Sequence, residues 1–468
     1  MEIRNAARIC DAGFVQVREW MLYKIREDHY PLNLLLTFEL DHFERSLFQR
    51  TIDLLVERHE ILRTTLQVID GCLKQVIHDH DVYRVTFDHF DISDMESSGR
   101  EQFIRDRHLL LSYMPFNFEF GPLFRVAVLR TGATTYEVCW CFHHVVIDSY
   151  SAGIFKGDAF RIWNGLLRSN GQEPFNPPVQ YSRYTAFENE LLDGKPGAEH
   201  RKYWKEQLTK GVPRLLLIER PVWEEYYRAH AQKVREVKRR LDKLPFHDAR
   251  FVSSVVRRYS YNRAGAVYFR FSDSTFDRIA AFSAKYSSSP LALFLSGFLI
   301  ALRNLSGQTL FAFDIPAGRR TDGIYKDMIG WLASGGICYF DMEQHKTTAA
   351  LLDYIDRQLF HLSRHCIYPF EVLDYQAEIP AGSTMPVFFT LSKFQHSRGA
   401  NSPDAGIWHE KESVGICQDM DINVNMYSDS CSITLRYNNF LLSADTAEKL
   451  IFEQERCLNV ILQDLLPS

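Results

Sequence analysis

One segment narrows the choice of fold more than any other. Tyr136–Phe142 reads Tyr-Glu-Val-Cys-Trp-Cys-Phe and runs straight into His143-His144-Val-Val-Ile-Asp148. The apolar run has the length and aromatic content of a buried strand. Its end delivers two adjacent imidazoles, and a carboxylate follows four residues after the second. Neighbouring side chains on a strand point to opposite faces, and a buried imidazole is costly unless its nitrogens are satisfied. One histidine can therefore serve the structure while the other faces a cavity. Beyond Asp148 the sequence to about Leu167 reads as a helix, with Ser149 or Ser151 placed to cap it.

An imidazole of ordinary pKa, ~6.5, accepts and returns a proton near neutrality. The pair also fits two satisfied core histidines. A zinc pair would need further ligands at metal-like spacing, and none stands nearby, so no metal is expected. His78 and His80, in the run His-Asp-His-Asp, read as a solvated loop.

Strands and helices alternate along the rest of the chain. Leu32–Leu40, Leu123–Leu129, Ala266–Phe271, Leu310–Ile315, Pro386–Leu391, Ile422–Tyr427 and Ser432–Tyr437 read as strands. Phe43–Arg58, Tyr181–Leu208, Ser274–Lys285, Pro290–Arg303 and Asp445–Leu462 read as helices, the last opening on an Asp445/Glu448 capping box. The Gly/Pro-rich Gly171–Pro178 reads as a linker. It divides the chain into an α/β sandwich over 1–175, which carries the histidines, and a second over 176–468.

Composition closes off other classes. With 46% hydrophobic and 24% charged residues over 468 positions, the chain is globular and long enough to bury a large core. A balance of 54 basic against 59 acidic residues leaves no nucleic-acid footprint. The longest apolar run, Pro290–Leu302, is shorter than the ~18 residues of a membrane span and reads as a core helix. The first residues contain no apolar stretch of the secretory kind. Nine scattered cysteines without a CxxC pattern fit a reduced, cytoplasmic setting, with Cys139 and Cys141 as small core residues.

His143-His144-Val-Val-Ile-Asp148-Ser149-Tyr-Ser151 resembles the HHxxxDGxS motif of condensation domains from nonribosomal peptide synthetases. Further segments resemble that family in the same order. Val15-Gln16-Val-Arg18-Glu-Trp20 is similar to its AQxRLW opening, and Arg58-His59-Glu60-Ile-Leu62-Arg63-Thr64 to RHExLRT. Gly121–Arg125 is similar to GPLFR, Tyr181–Phe187 to YxDYAxW, and Tyr203-Trp204 follows at a familiar interval. Pro316–Arg319, Met328–Leu332 and His365–Glu371 resemble the pxxGR, IGxFVNT and HQDYPFE segments.

The resemblance implies two chloramphenicol-acetyltransferase-like α/β domains arranged as a V, with the active site in a tunnel between them. It implies acyl transfer from a phosphopantetheine thioester on an acyl or peptidyl carrier protein to an amine or hydroxyl, in natural-product and antibiotic biosynthesis. No cofactor is bound permanently; the donor's phosphopantetheine arm belongs to the carrier. His144 is the catalytic histidine of the pattern, with His143 beside it. Asp148 is the structural acid, expected to pair with Arg319 first, or with Arg58 or Arg63. Ser149, Ser151, Trp204 and Ser334 are expected along the tunnel. His144 either takes the nucleophile's proton or orients the nucleophile and stabilises the tetrahedral intermediate.

Departures from the family pattern bear on the substrate. Ser149 stands where the motif has glycine, Leu332-Ala333-Ser334-Gly335 lacks the asparagine of FVNT, and Glu378–Pro386 replaces the RDxSRNP block. Carrier, adenylation and thioesterase segments are missing from the sequence, so a free-standing monomer that meets its carrier in trans is expected. Alternatives are a CoA-dependent acyltransferase, which shares HxxxD, and a non-catalytic platform, which the presence of His144 disfavours. An epimerisation domain would need an EGHGR-like acid/base motif, which the sequence does not show. Arg228–Arg258 holds ten basic and three acidic residues, a local charge of +7. It reads either as a solvated arm, part of it (Ala229–Leu244) helical, or as a docking surface for an acidic carrier.

Overall fold

The computed structural model describes residues 6–26, 32–168, 177–252, 255, 262–286, 288–320, 323–343, 345, 347–369, 372, 387–393, 406–416 and 418–466. The chain forms two compact units. The first comprises Met1–Gly197, Arg240–Asp248 and Arg320–Ala333; the second comprises Ala198–Arg239, Ala249–Arg319 and Ser334–Ser468. The expected boundary at 175/176 lies outside the described residues, as does Glu378–Pro386.

In the first unit the order is β1 (Ala6–Asp11), α1 (Phe14–Ile25), β2 (Asn33–Leu40), α2 (Arg45–Arg58), β3 (Thr64–Ile69), β4 (Cys72–His78), β5 (Phe87–Asp91), α3 (Ser97–Tyr113), β6 (Phe124–Arg130), β7 (Tyr136–His143), α4 (Ser149–Leu167) and α5 (Tyr181–Asp193). A four-stranded sheet runs β2-β7-β6-β5 and a three-stranded sheet β1-β4-β3. Strand β7 is buried from Val138 to His143 because a neighbour lies on each edge and helices cover it. Phe155 of α4 meets Trp140 and Phe142 edge-on, each at 4.8 Å between ring centres. Arg58 and His59 both reach Asp158 of α4, at 2.8 and 2.9 Å, and so fasten α2 to that helix.

The second unit contains α6 (Ala198–Leu208), α7 (Arg220–Leu241) up to Arg239, β8 (Asn262–Arg270), α8 (Asp273–Lys285), α9 (Pro290–Ser306), β9 (Leu310–Gly318), β10 (Ala333–Asp341) from Ser334, α10 (Thr348–His365), β11 (Val387–Lys393), β12 (Gly406–Ile416), β13 (Met420–Met426), β14 (Cys431–Asn438) and α11 (Ala444–Leu465). Seven strands pair in the order β10-β9-β11-β13-β14-β8-β12. The apolar run in α9 is buried from Ala292 to Leu299, with Ser289 as cap, Pro290 in the first turn and Gly307 left-handed at the end. Among the described residues no helix is long and apolar enough to cross a membrane.

Local readings shift in four places. Tyr181–Leu208 is two helices, because Gly194 and the residues up to Gly197 interrupt it. Asp148, not Ser149 or Ser151, caps α4, and Ser443, not Asp445, caps α11 by accepting from the Thr446 amide. His78 is no solvated loop residue. It ends β4 with 4% exposure, and its Nε2 meets Thr65 Oγ1 at 2.9 Å.

Candidate active site

The two histidines separate where β7 ends. The His143 amide donates to Leu123 O at 2.9 Å, while the His144 amide donates to Leu32 O at 2.7 Å. Successive amides bound to chains on opposite edges keep the extended alternation, so the imidazoles diverge. His143 is 7% exposed and lies edge-on to Phe118, 4.7 Å between ring centres. Its Nδ1 accepts from the Val145 amide at 3.0 Å, which places the ring proton on Nε2. Burial pushes its pKa down to about 3, so the ring stays neutral. His144 opens a 3-10 turn to Val146 and is only partly buried.

Asp148 is the hub of the corner. Oδ1 accepts from the Ser151 amide at 2.8 Å and from Arg320 Nη2 at 3.1 Å. Oδ2 accepts from Arg320 Nη1 at 2.9 Å and from the amides of Leu332 and Ala333 at 2.9 and 3.1 Å. Burial opposes ionisation here, but the Arg320 guanidinium and the amide donors outweigh it and lower the carboxyl pKa. Ser151 Oγ extends the hub. It accepts from Arg320 Nη2 at 2.6 Å and the Gly330 amide at 3.1 Å, and donates to Gly330 O at 2.8 Å.

These contacts staple the segment Met328–Ala333 beside the histidine corner. Gly330 is required there: a Cβ would come within 2.0 Å of the Tyr181 ring. The Tyr181 hydroxyl donates to Trp331 O at 3.2 Å. The Trp331 ring then lies over the His144 imidazole, 3.6 Å between centres and inclined by 33°.

The partner of Asp148 is thus Arg320 and none of the expected arginines. Arg319 is fully buried in the second unit, where its charge opposes the burial that pushes the Cys366 thiol up to about 11. Adjacent residues on extended chain face apart, so only one of this doublet can meet the carboxylate. Arg58 is taken by Asp158, and Arg63 donates to the carbonyls of His78 and Val56 at 2.9 and 3.0 Å. Trp204 is a core residue rather than a lining one. It is 0% exposed, and its indole N–H donates to the carbonyls of His365 and Tyr368. Ser149 is exposed at the start of α4, Ser151 is buried in the Asp148 hub, and Ser334, 6% exposed, stands near the start of β10. Arg320 and Trp331 escaped sequence reasoning. The available signals were the Arg319-Arg320 doublet, in which either member could serve, and the Gly-Trp pair in the IGxFVNT-like segment.

Among the described residues two groupings have metal-ligating side chains in reach of one another, His108/Glu137/Cys139 and Asp79/His80/Asp81. Neither includes a residue of the corner.

Fold and corner define a protein of two chloramphenicol-acetyltransferase-like lobes with an HHxxxD site. The chain belongs to the condensation-domain family, whose model matches residues 8–466. It is similar to a linear gramicidin synthase of Brevibacillus parabrevis, 24% identical over 447 residues, covering 94% of this chain and 5% of that one. The chain therefore spans only a small part of such relatives. Among solved structures it resembles the epimerization domain from the third module of tyrocidine synthetase B, with TM-score 0.73, 15% identity, and 99% and 100% of the two chains covered. It also resembles the condensation domain that mediates chain release from the enacyloxin polyketide synthase, with TM-score 0.71, 14% identity, and 100% and 85% covered.

Proposed function

We propose that this chain transfers an acyl group from a carrier-protein phosphopantetheine thioester to an amine or hydroxyl, with His144 as general base. The observation that carries the reading is the division of labour in the corner. His143 is locked neutral and buried, Asp148 is saturated by N–H donors, and His144 alone of the three is partly open. The nucleophile's N–H or O–H gives its proton to His144 as it attacks the thioester carbonyl. The C–S bond then breaks, a C–N or C–O bond remains, and the proton passes to the departing thiolate. Thioesters are already activated, so no serine or cysteine intermediate is needed.

Delivery by a carrier in trans belongs to the same proposal. Helix α7 supports it: Arg228, Arg235, Lys238 and Arg239 are exposed on it, a basic surface suited to steering an acidic carrier. Arg257 and Arg258, the end of the basic segment, lie outside the described residues.

The test offers an acyl-loaded carrier and the matching acyl-CoA to the wild-type chain and to His144→Ala, and follows acyl loss by intact-protein mass. The substitution should cost ~10²–10⁴ in rate without changing the melting curve. A soluble His144→Ala protein with wild-type turnover overturns the assignment. Turnover of acyl-CoA alone makes the chain a CoA-dependent acyltransferase. Charge reversal at Lys238 and Arg239 should raise KM for the carrier but leave a small thioester mimic unaffected. Equal effects on both donors would count against docking on α7.

A further inference from the structure

The His144 ring is fixed at its amide but could still turn about its side-chain bonds. The Trp331 ring lies against the imidazole, 3.6 Å between ring centres, and restricts that rotation. Trp331 is itself held from several sides. Its carbonyl accepts from Tyr181, the preceding residue is bonded to Ser151 through both N and O, and the next two amides end on Asp148. The ring is 5% exposed, so it offers almost no surface to a substrate.

A second side chain contacts the indole. Arg18 of α1 places its guanidinium carbon 5.2 Å from the Trp331 ring centre and 5.1 Å from that of Phe14. It is 1% exposed and pairs with Glu19, 4% exposed, at 2.8 Å. An ion pair taken out of water is destabilising unless it finds compensating contacts; a cation over an indole face is one such contact. The expense is incurred beside Trp331, where it stiffens the ring that leans on His144.

We propose that Trp331, backed by Arg18, is a positioning residue that fixes the plane of the His144 imidazole for proton transfer from the nucleophile. The proposal rests on the acyl-transfer reading of His144. A flat ring suits position 331 because its face restrains the plane of an imidazole by stacking contact and leaves the imidazole nitrogens to the substrate. Misplacing a catalytic group by about 1 Å costs up to ~10² in rate, and that loss should fall on kcat rather than KM.

The experiment uses the full chain labelled with [13Cε1]-histidine, as wild type, His144→Ala, Trp331→Leu, Trp331→Phe and Arg18→Met. The His144 signal is the one lost in His144→Ala. It should lie displaced by the indole ring current, return toward its free position in Trp331→Leu, and broaden or shift part of the way in Arg18→Met. Turnover is read with acetyl-, butyryl- and octanoyl-N-acetylcysteamine and hydroxylamine as acceptor. Trp331→Leu should lower kcat by ~10–10²-fold with KM within about twofold, and Trp331→Phe should recover most of it. A His144 signal unmoved by Trp331→Leu, or wild-type kcat in that variant, overturns the proposal, as does an unmoved signal in Arg18→Met should Trp331→Leu not fold. Wild-type turnover in His144→Ala instead overturns the acyl-transfer reading, and the positioning role with it.

Discussion

Asp148, buried in the first unit, and Asp421, largely buried in the second, both stand beside an arginine, yet their carboxyls shift in opposite directions. Asp148 sits at a helix start, where amides have no partner within the helix, and collects five N–H donors: the Ser151 amide of that helix, the Leu332 and Ala333 amides at the entry to β10, and two from Arg320. Its pKa is lowered despite burial. Asp421 sits in mid-sheet on β13, where backbone pairing to β11 and β14 uses the neighbouring amides. It keeps Asn423 Nδ2 at 3.0 Å and Arg436 at 3.5 Å, and burial pushes its pKa up to about 6. What distinguishes them is the supply of uncommitted N–H groups: a helix start, the segment that enters edge strand β10 and the facing guanidinium provide them to Asp148, and mid-sheet pairing withholds them from Asp421.

The comparison breaks most readily at Asp148. Asp148→Ala leaves Arg320 buried without its carboxylate and should destabilise by ~3–5 kcal/mol, read as a fall in melting temperature. A variant that melts like wild type but is inactive would make Asp148 a chemical residue. The pH dependence has a definite sign. Because the folded pKa is lowered, the stabilisation is present above the unfolded value of ~3.9 and disappears as pH falls through the folded value. Acid melts of wild type should therefore lose stability below about pH 4 more steeply than those of Asp148→Asn.

Asp421→Asn should act the other way. A folded pKa of about 6 against ~3.9 unfolded means that the wild type loses stability as pH rises between those values, by ~2–3 kcal/mol in all. The amide escapes that loss, so the variant should gain melting temperature relative to wild type between pH 4.5 and pH 8. A variant less stable at pH 8 than at pH 4.5, relative to wild type, would show that Arg436 holds the carboxylate ionised.

Ser151→Ala sharpens the contrast with an uncharged member of the Asp148 hub. It removes the acceptor for Arg320 and Gly330 and should cost ~1–3 kcal/mol, measured by denaturant melts. The smallest effect belongs to Ser149→Gly, exposed in the first turn of α4. Stability should change by no more than about 1 kcal/mol, while relative kcat/KM across amine and alcohol acceptors shifts. Constant ratios over such a panel would remove Ser149 from acceptor selection.

How much of this was legible in the sequence follows from the range of the forces involved. Strand β7 and helix α4 were readable because apolar content and capping residues act within a few positions. The separation of His143 from His144 followed from strand alternation alone. The partner of Asp148 was not readable, since Arg319 and Arg320 differ only in which side of an extended segment each faces. Tertiary packing decides that. Trp204 misled for the same reason: its place between two carbonyls of the second unit is set by residues more than a hundred and fifty positions away. The His78 reading failed because the polar run His78-Asp79-His80-Asp81 suggested a loop, whereas His78 closes strand β4, whose Val76 and Ile77 are buried.

The crowding around Asp148 also bears on how the proposed catalyst would reset. A carboxylate offers about four lone-pair sites, and here five N–H groups already claim them. Nothing remains with which to draw a proton off His144, so the corner cannot operate as an aspartate–histidine relay. On the acyl-transfer proposal, a proton collected by that imidazole would return within the same turnover to the thiolate that the reaction releases. The leaving group would thereby restore the base, and each proposed cycle would close without a proton passing into the protein.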